Sequence, residues 1–377
     1  MNTSLKVMTF IGTRPEIIRL SRTMNLLDKY VNHIIVHTGQ NYDYELNEVF
    51  FNDLELRKPD YFLSIDTSST GSAVGDIIRK SEEVLKKENP DAIVVLGDTN
   101  SCLSAYMAKR LHIPIFHMEA GNRSFDFNVP EEINRRIIDH IADFNLVYTE
   151  HARRHLISEG LPHRRIYLTG SPMFEVLNHY KPKIQDSKIL DTLKLTKKEY
   201  FVVSLHREEN VDNPESLQKL LGILNKIADS YGKAIIVSTH PRTRKRIENL
   251  QISGLNPYIQ FLKPFGFLDY IYLQQNSLCT LSDSGTISEE SSILSFAALS
   301  LRQSMERPEA QDAGTIILTG FDENVIMNSL RIVIDEHKNT SYKNIASDYT
   351  IENTSWRVLK LILGNTKLSN KWHGIQS

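Results

Sequence analysis

A chain of 377 residues exceeds one ordinary core and predicts two domains, and its 41% hydrophobic and 24% charged residues are those of a soluble globular protein, not a disordered or membrane-embedded one. Basic and acidic side chains number 44 and 46, for a formal charge of −2; no global basic field gathers nucleic acid or an anionic membrane, so an anionic ligand must be held by local groups. Two cysteines, Cys102 and Cys279, are too few for a disulfide scaffold or a cysteine zinc site, which points to a reducing compartment, the cytoplasm.

The chain leads from Met1 straight into a short apolar run without the longer hydrophobic stretch of a signal peptide, and no segment is apolar for long enough to span a bilayer. Short β-branched runs at 7–11, 34–37, 92–96, 113–118 and 146–149 alternate with amphipathic helical stretches, which predicts βαβ units and a parallel sheet. After Gly170 the pattern gives way to the polar, lysine-rich stretch 178–186, running on toward Lys198, which reads as a linker. A second series follows at 201–205, 234–238, 259–262, 278–281, 297–301 and 316–318. The expected fold class is therefore α/β, with a Rossmann-like domain over 1–175, a second over 176–354 and a terminal helix within 355–377 that either joins the first domain or stands apart. Ligands of such sheets bind beyond the carboxyl ends of the strands, so chemistry is sought in the residues after each run.

The first strand ends in Gly12-Thr13-Arg14-Pro15-Glu16. That order spells a capping box, with Thr13 as N-cap and Glu16 at the third helical position. It equally offers an anion site, because helix-terminal amides favour a phosphate and Arg14 adds a forked donor. Neither a Walker loop nor Gly-x-Gly-x-x-Gly is present, so a nicotinamide has no visible seat. Carboxylates then follow strand ends: Asp98 in Gly97-Asp98-Thr99-Asn100, Glu119 in His117-Met118-Glu119-Ala120-Gly121, and Glu131 in Pro130-Glu131-Glu132-Ile133-Asn134-Arg135-Arg136. On the helix opening near Pro130, Glu131, Arg135 and Asp139 share an ionic face, while Ile133, Ile137 and Ile141 mark another that reads as core. A surface charge ladder is the ordinary cause of such spacing, but three acidic sites after consecutive strands favour a common chemical role.

In the second half, His206 directly follows the first strand and is a phosphate or acid candidate, whereas His240, after the next strand, has an equivalent place or orients a loop. The segment from Ser282 through Asp283-Ser284-Gly285-Thr286 to Glu290 repeats the helix-terminus pattern. Ser284, Gly285 and Thr286 suit a diphosphate and Glu290 a ribose diol; a second capping box, Thr286 to Glu289, is the alternative. No His-Glu-x-x-His or Asp-x-Asp motif calls for a metal.

The ordered set from Gly12-Thr13-Arg14-Pro15-Glu16 to Glu306-Arg307-Pro308-Glu309-Ala310, with Met118-Glu119-Ala120-Gly121 and Pro130 to Arg135 between them, resembles the non-hydrolysing UDP-N-acetylglucosamine 2-epimerase family over nearly the whole chain. The resemblance implies a GT-B-type fold, with two Rossmann-like domains facing a cleft, UDP gripped mainly by the second and the sugar facing the first. It implies a UDP-sugar substrate, no cofactor, no metal, no nucleic acid or membrane partner, and a homodimer. Residue by residue, it implies catalytic or active-site roles for Asp98, Glu119, Glu131, Arg135 and His206. Contacts to the sugar nucleotide are implied for Arg14, Arg19, Gln40, Tyr270, Ser284, Gly285, Thr286, Glu290 and Arg307, with Tyr270 beside uracil. Arg19 stands where the commonest members have lysine, and Asn122 where they read leucine. With His37-Thr38-Gly39-Gln40-Asn41-Tyr42-Asp43-Tyr44 and the segment 124–129, these departures resemble the branch acting on UDP-2-acetamido-2,6-dideoxy-L-hexoses, including makers of UDP-N-acetyl-L-fucosamine for capsules and O-antigens. UDP-N-acetylglucosamine is the alternative substrate, and a GT-B glycosyltransferase the competing activity.

C2 of such a sugar has no adjacent carbonyl, so simple removal of its proton is unfavourable. Anti elimination of UDP across C1–C2 to a glycal, followed by re-addition, needs a base, an acid and a stabilised leaving group. One carboxylate among Asp98, Glu119 and Glu131 is expected to take the proton, with Arg14, His206 and the Ser284-Gly285 turn stabilising UDP. Which carboxylate serves which face stays open at this point.

Overall fold

The computed structural model describes residues 5–39, 50–205, 213–239, 243–244, 246–247, 254–339 and 345–375. The chain forms two compact units, Met1–His179 with Asp348–Ser377, and Tyr180–Ser347.

The first unit opens with β1 (Lys6–Ile11), α1 (Arg14–Tyr30), β2 (Asn32–His37), β3 (Tyr61–Phe62), α2 (Thr70–Glu88) and β4 (Ala92–Leu96). It continues with α3 (Ser104–Arg110), β5 (Ile115–Ala120), α4 (Pro130–Ile141), β6 (Phe144–Val147), α5 (Glu150–Ser158) and β7 (Ile166–Leu168). Its seven strands lie in the order β3-β2-β1-β4-β5-β6-β7, with every pairing parallel. Helices cover both faces of such a sheet, which is why β4 is an unbroken apolar run with all five residues buried and not an alternating one. Met8, Phe10, Ile93 and Val95 meet Ile77, Ala105 and Ala108 in its core.

Helix α6 (Pro172–Gln185) contains the point of division between the units. The polar stretch expected as a linker is thus helical over most of its length, and it buries Tyr180 and Ile184 where the sequence displays mainly its charges. The second unit runs through α7 (Ile189–Leu193), β8 (Tyr200–Leu205), α8 (Pro214–Tyr231), β9 (Ala234–Thr239), β10 (Ile259–Leu262), α9 (Phe267–Asn276), β11 (Cys279–Ser282), α10 (Ile287–Leu294), β12 (Ala298–Ser300), α11 (Glu309–Asp312), β13 (Ile317–Leu318) and α12 (Glu323–Asn339). Its six-stranded sheet has the order β10-β9-β8-β11-β12-β13, again parallel throughout. Phe201, Val203, Val237 and Leu281 pack beneath Leu220, Leu224, Ile326 and Leu330. The α/β fold class of GT-B type is borne out in its two Rossmann-like units.

The final helix, α13 (Thr354–Trp372), lies on the first unit. Thr354 Oγ1 donates to the carbonyls of Thr169 and Ser171 at 3.0 and 3.2 Å, the Ser355 amide donates to Glu175 at 2.8 Å, and Asn370 donates to the His112 carbonyl at 3.0 Å. Gly170 (φ +83°) permits the crossing, because a β-carbon there would stand 2.5 Å from Ile351. Among the described residues no helix is long and apolar enough to cross a membrane.

Candidate active site

In each sheet the strand order reverses between the first strand and its fourth, β1 beside β4 and β8 beside β11. Loops at such a switch point diverge and leave a crevice at the strands' carboxyl ends. In the first unit those loops carry Gly12-Thr13 and Gly97-Asp98; in the second, β11 is followed by Asp283-Ser284-Gly285-Thr286.

The β1 terminus is closed by the protein itself. Thr13 is the N-cap of α1 and forms the capping box with Glu16. One Glu16 oxygen accepts from the amides of Gly12 and Thr13 at 3.0 and 2.7 Å and from Thr13 Oγ1 at 2.8 Å. The other accepts from Ser101 Oγ, on the turn after β4. Burial pushes the pKa of Glu16 upward against these hydrogen bonds. The amides of Gly12 and Thr13 are therefore taken by a carboxylate, and the anion reading turns on Arg14, whose guanidinium lies 5.6 Å from the centre of the Phe50 ring.

Two carboxylates at neighbouring strand ends are each gripped by an arginine. Arg135 of α4 donates through Nε and a terminal nitrogen to one oxygen of Asp98 at 3.0 and 2.5 Å, and also to Glu132 at 3.1 Å. Asn134, beside it, donates to the Asp98 carbonyl at 2.9 Å and fixes the turn. Glu119 lies at a register shift between Met118 and Ala120 on β5, with a left-handed φ of +66°. Its carboxylate accepts from Arg19 of α1 and from Asn122 Nδ2 at 3.3 Å. The two sites adjoin, since a β-carbon at Gly97 would stand 3.8 Å from Glu119 Oε2. The structure brings the expected residues Asp98, Glu119, Arg135 and Arg19 together; the sequence pattern does not show that the arginines pair with the carboxylates across the fold.

Helix α4 reverses the expected faces except at Ile141, which packs against the core of the first sheet. Glu132, Arg135 and Asp139 are buried with Ile138, while Ile133 and Ile137 are 52% and 41% exposed. The cause is ionic: Glu132 accepts from the Ser124 amide at 3.0 Å and from Arg136 at 3.0 Å besides Arg135. Asp139 takes Arg123 at 2.7 Å and the Gly121 amide at 3.2 Å, and Arg123 also donates to Glu159 at 2.6 Å. Arg123 holds the pKa of Glu159 down to about 2, well under the usual carboxylate range. Glu131, in the first turn, is half-buried. The i, i+3 and i, i+4 spacings from Glu132 to Arg135 and Arg136 were the available signal for the buried member of the Glu-Glu pair.

In the second unit the helix terminus is built differently. Thr286 precedes α10 without a side-chain cap. The alternative of a capping box is not realised: Glu289 is fully buried against Arg307 at 2.5 Å. Arg307 also donates to the Gly285 carbonyl at 3.0 Å, so it braces the turn from beneath. Ser284 and Thr286 hydroxyls stand 2.9 Å apart, one on each side of Gly285. A β-carbon at Gly285 would crowd Arg302 at 3.3 Å, and Arg302 is itself paired with Glu306 at 2.5 Å. Glu290 accepts from Gln274 at 3.0 Å. The phenol pKa of Tyr270 is pushed up by burial, aided by the carboxylates of Glu290 and Asp283. This turn combines unboxed helix amides, two hydroxyls and a buried cation, the chemistry of a diphosphate seat. Gln40, His206 and His240 lie outside the described residues. Among the described residues no group of three or more His, Cys, Asp or Glu is placed to hold a metal ion.

The family model described as UDP-N-acetylglucosamine 2-epimerase matches residues 26–363. The structure of a UDP-N-acetylglucosamine 2-epimerase from Rickettsia bellii is 50% identical, covers 98% of both chains and superposes with a TM-score of 0.92. The enzyme of that name from Methanocaldococcus jannaschii is 37% identical over 89% of this chain and 94% of its own. Its structure in complex with UDP-GlcNAc and UDP superposes with a TM-score of 0.87 over 95% of this chain and 99% of that one. A UDP-2,3-diacetamido-2,3-dideoxy-D-glucuronate 2-epimerase from Pseudomonas aeruginosa is 34% identical over 87% of this chain and 92% of its own. Matched along most of its length by the model and by relatives more than a third identical, the chain belongs to the UDP-N-acetylglucosamine 2-epimerase family of isomerases.

Proposed function

We propose that the protein inverts C2 of a UDP-2-acetamido-2,6-dideoxy-L-hexose used in surface polysaccharide, by anti elimination of UDP and its re-addition. The observation that carries the mechanism is the pair of adjoining carboxylates, Asp98 and Glu119, each held by an arginine from a different helix. Such groups exchange protons with C2, one removing and one returning, while the arginines keep both side chains oriented. The Ser284-Gly285-Thr286 turn and Arg307 hold the diphosphate, Arg14 and His206 stabilise it as it leaves, and Glu290 and Tyr270 meet the nucleoside. Glu131 stands by as a further proton donor or acceptor, and Gln40 as a contact to the sugar. No oxidation occurs at any step: the C1–oxygen bond breaks as the C2 proton leaves, and both are restored.

The choice of a dideoxy hexose is supported by Arg19, Asn122 and the loop that follows. A second substrate, UDP-N-acetylglucosamine, is favoured by the Rickettsia bellii protein of that activity at 50% identity. Incubation with each UDP-sugar in D2O, without metal or nicotinamide, tests both. The expected result is deuterium at C2 with UDP still attached, faster for the dideoxy hexose. Free UDP with free sugar, or turnover only when an acceptor is supplied, would discard the epimerase reading in favour of hydrolysis or glycosyl transfer.

A further inference from the structure

Strand β5 is regular up to Met118 and then departs from its register at Glu119. The φ of +66° there is a conformation that residues with a β-carbon seldom adopt. Two residues later Gly121 turns through φ +81°, at a point where a β-carbon would lie 2.4 Å from the Ala152 carbonyl oxygen. These two left-handed residues bring Asn122 back onto the carboxylate that precedes it: Nδ2 donates to Glu119 Oε1 at 3.3 Å. The other oxygen, Oε2, accepts from Arg19. Asn122, Glu119 and Arg19 are 7%, 8% and 4% exposed, so both hydrogen bonds to the carboxylate lie away from bulk water. A carboxylate held at both oxygens by donors on different elements cannot turn about its terminal bond without breaking one contact.

We propose that Asn122 is a positioning residue for Glu119, holding Oε1 while Arg19 holds Oε2 so that the carboxylate keeps one plane during proton transfer at C2. The proposal rests on the epimerase reading above. Asn122→Leu keeps the branched shape and removes the donor; it installs the residue that the resemblance gives the commonest members, but they carry it with lysine at position 19, whereas here Arg19 remains on Glu119. The variant's kcat for C2 exchange should fall about tenfold, with KM within about twofold, because Asn122 acts through Glu119. The acid limb of the kcat–pH profile should move to higher pH, since a carboxylate that loses a donor to its charged form is protonated more readily. Asn122→Gln, which retains the amide, should restore most of the rate. If Asn122→Leu does not fold, Asn122→Ala, which adds no branched carbon, carries the same comparison.

Exchange at C2 in D2O, measured with wild type alongside, gives each outcome a meaning. A folded donor-less variant with wild-type kcat and an unmoved acid limb overturns the clamp alone. Loss of melting temperature with the profile in place assigns Asn122 a structural role and also overturns it. Wild type that forms product without exchanging the C2 hydrogen overturns the epimerase mechanism and the clamp together.

Discussion

Asp98 and Glu119 illustrate how much of a residue's role is set by what holds it. Each meets a guanidinium, Arg135 for one and Arg19 for the other, so on the reading proposed above neutralising either carboxylate removes a proton-transfer group and takes one charged partner from its arginine. Asp98→Asn and Glu119→Gln are each expected to lower kcat for C2 exchange at least about a hundredfold, read by deuterium incorporation at saturating UDP-sugar. Glu159 gives a prediction about acid. Its pKa is about 2 in the folded chain against an ordinary 4.5, so the stability it contributes is complete above about pH 4.5 and is lost as pH falls through that interval toward 2. Melting temperatures from pH 6 downward should therefore decline less steeply in Glu159→Gln, which starts lower, than in wild type. A parallel slope in the two proteins would deny Glu159 this part. At this scale the sequence told which residue types matter but not their partners: Arg19 and Glu119 are 100 positions apart, and nothing in their spacing announces the pair.

Elements aim these residues. The bulge of β5 and the turn at Gly121 direct Glu119 and Asn122, and Gly121→Ala must displace α5, whose Ala152 carbonyl occupies the space. We expect a loss of at least about 2 kcal/mol, from strained backbone and steric overlap together, measurable by urea unfolding. Helix α4 provides a second test. Glu132→Ala strips buried Arg135 of one carboxylate partner and unseats Ser124, with an expected cost of about 3–5 kcal/mol by the same assay. Legibility varied in a way these elements explain. Long apolar runs such as β4 are plain because they are buried on both faces, whereas β3, Tyr61–Phe62, and β7, Ile166–Leu168, hold no run of β-branched side chains. Periodicity reads most of helix α4 inside out because it assumes that apolar side chains go inward, and here a network of ion pairs occupies the interior. The first helix terminus offered the same ambiguity, and only the position of Ser101, 85 residues away, shows Glu16 drawn fully into the turn.

On the scale of the whole molecule, alternation of strands and helices conveyed two parallel sheets, while the return of α13 was beyond it. An amphipathic helix needs an apolar partner, but its pattern does not say which one. Val358, Leu359 and Ile362 are buried in that helix, each contributing about 1.5–3 kcal/mol. Deleting residues 354–375 should therefore destabilise the first unit and leave the second with its own protection against amide hydrogen exchange. Equal loss of protection in both would refute this local assignment. The route of the chain has a bearing on biosynthesis as well. Residues 180–347 emerge from the ribosome as one uninterrupted stretch and make a finished unit, whereas the unit begun earlier lacks its closing helix until translation has passed residue 372. The part started second is thus the first to have all its residues, and a nascent chain stalled before Thr354 would leave open to chaperones the flank of α1 on which α13 packs, where Tyr30 meets Trp356.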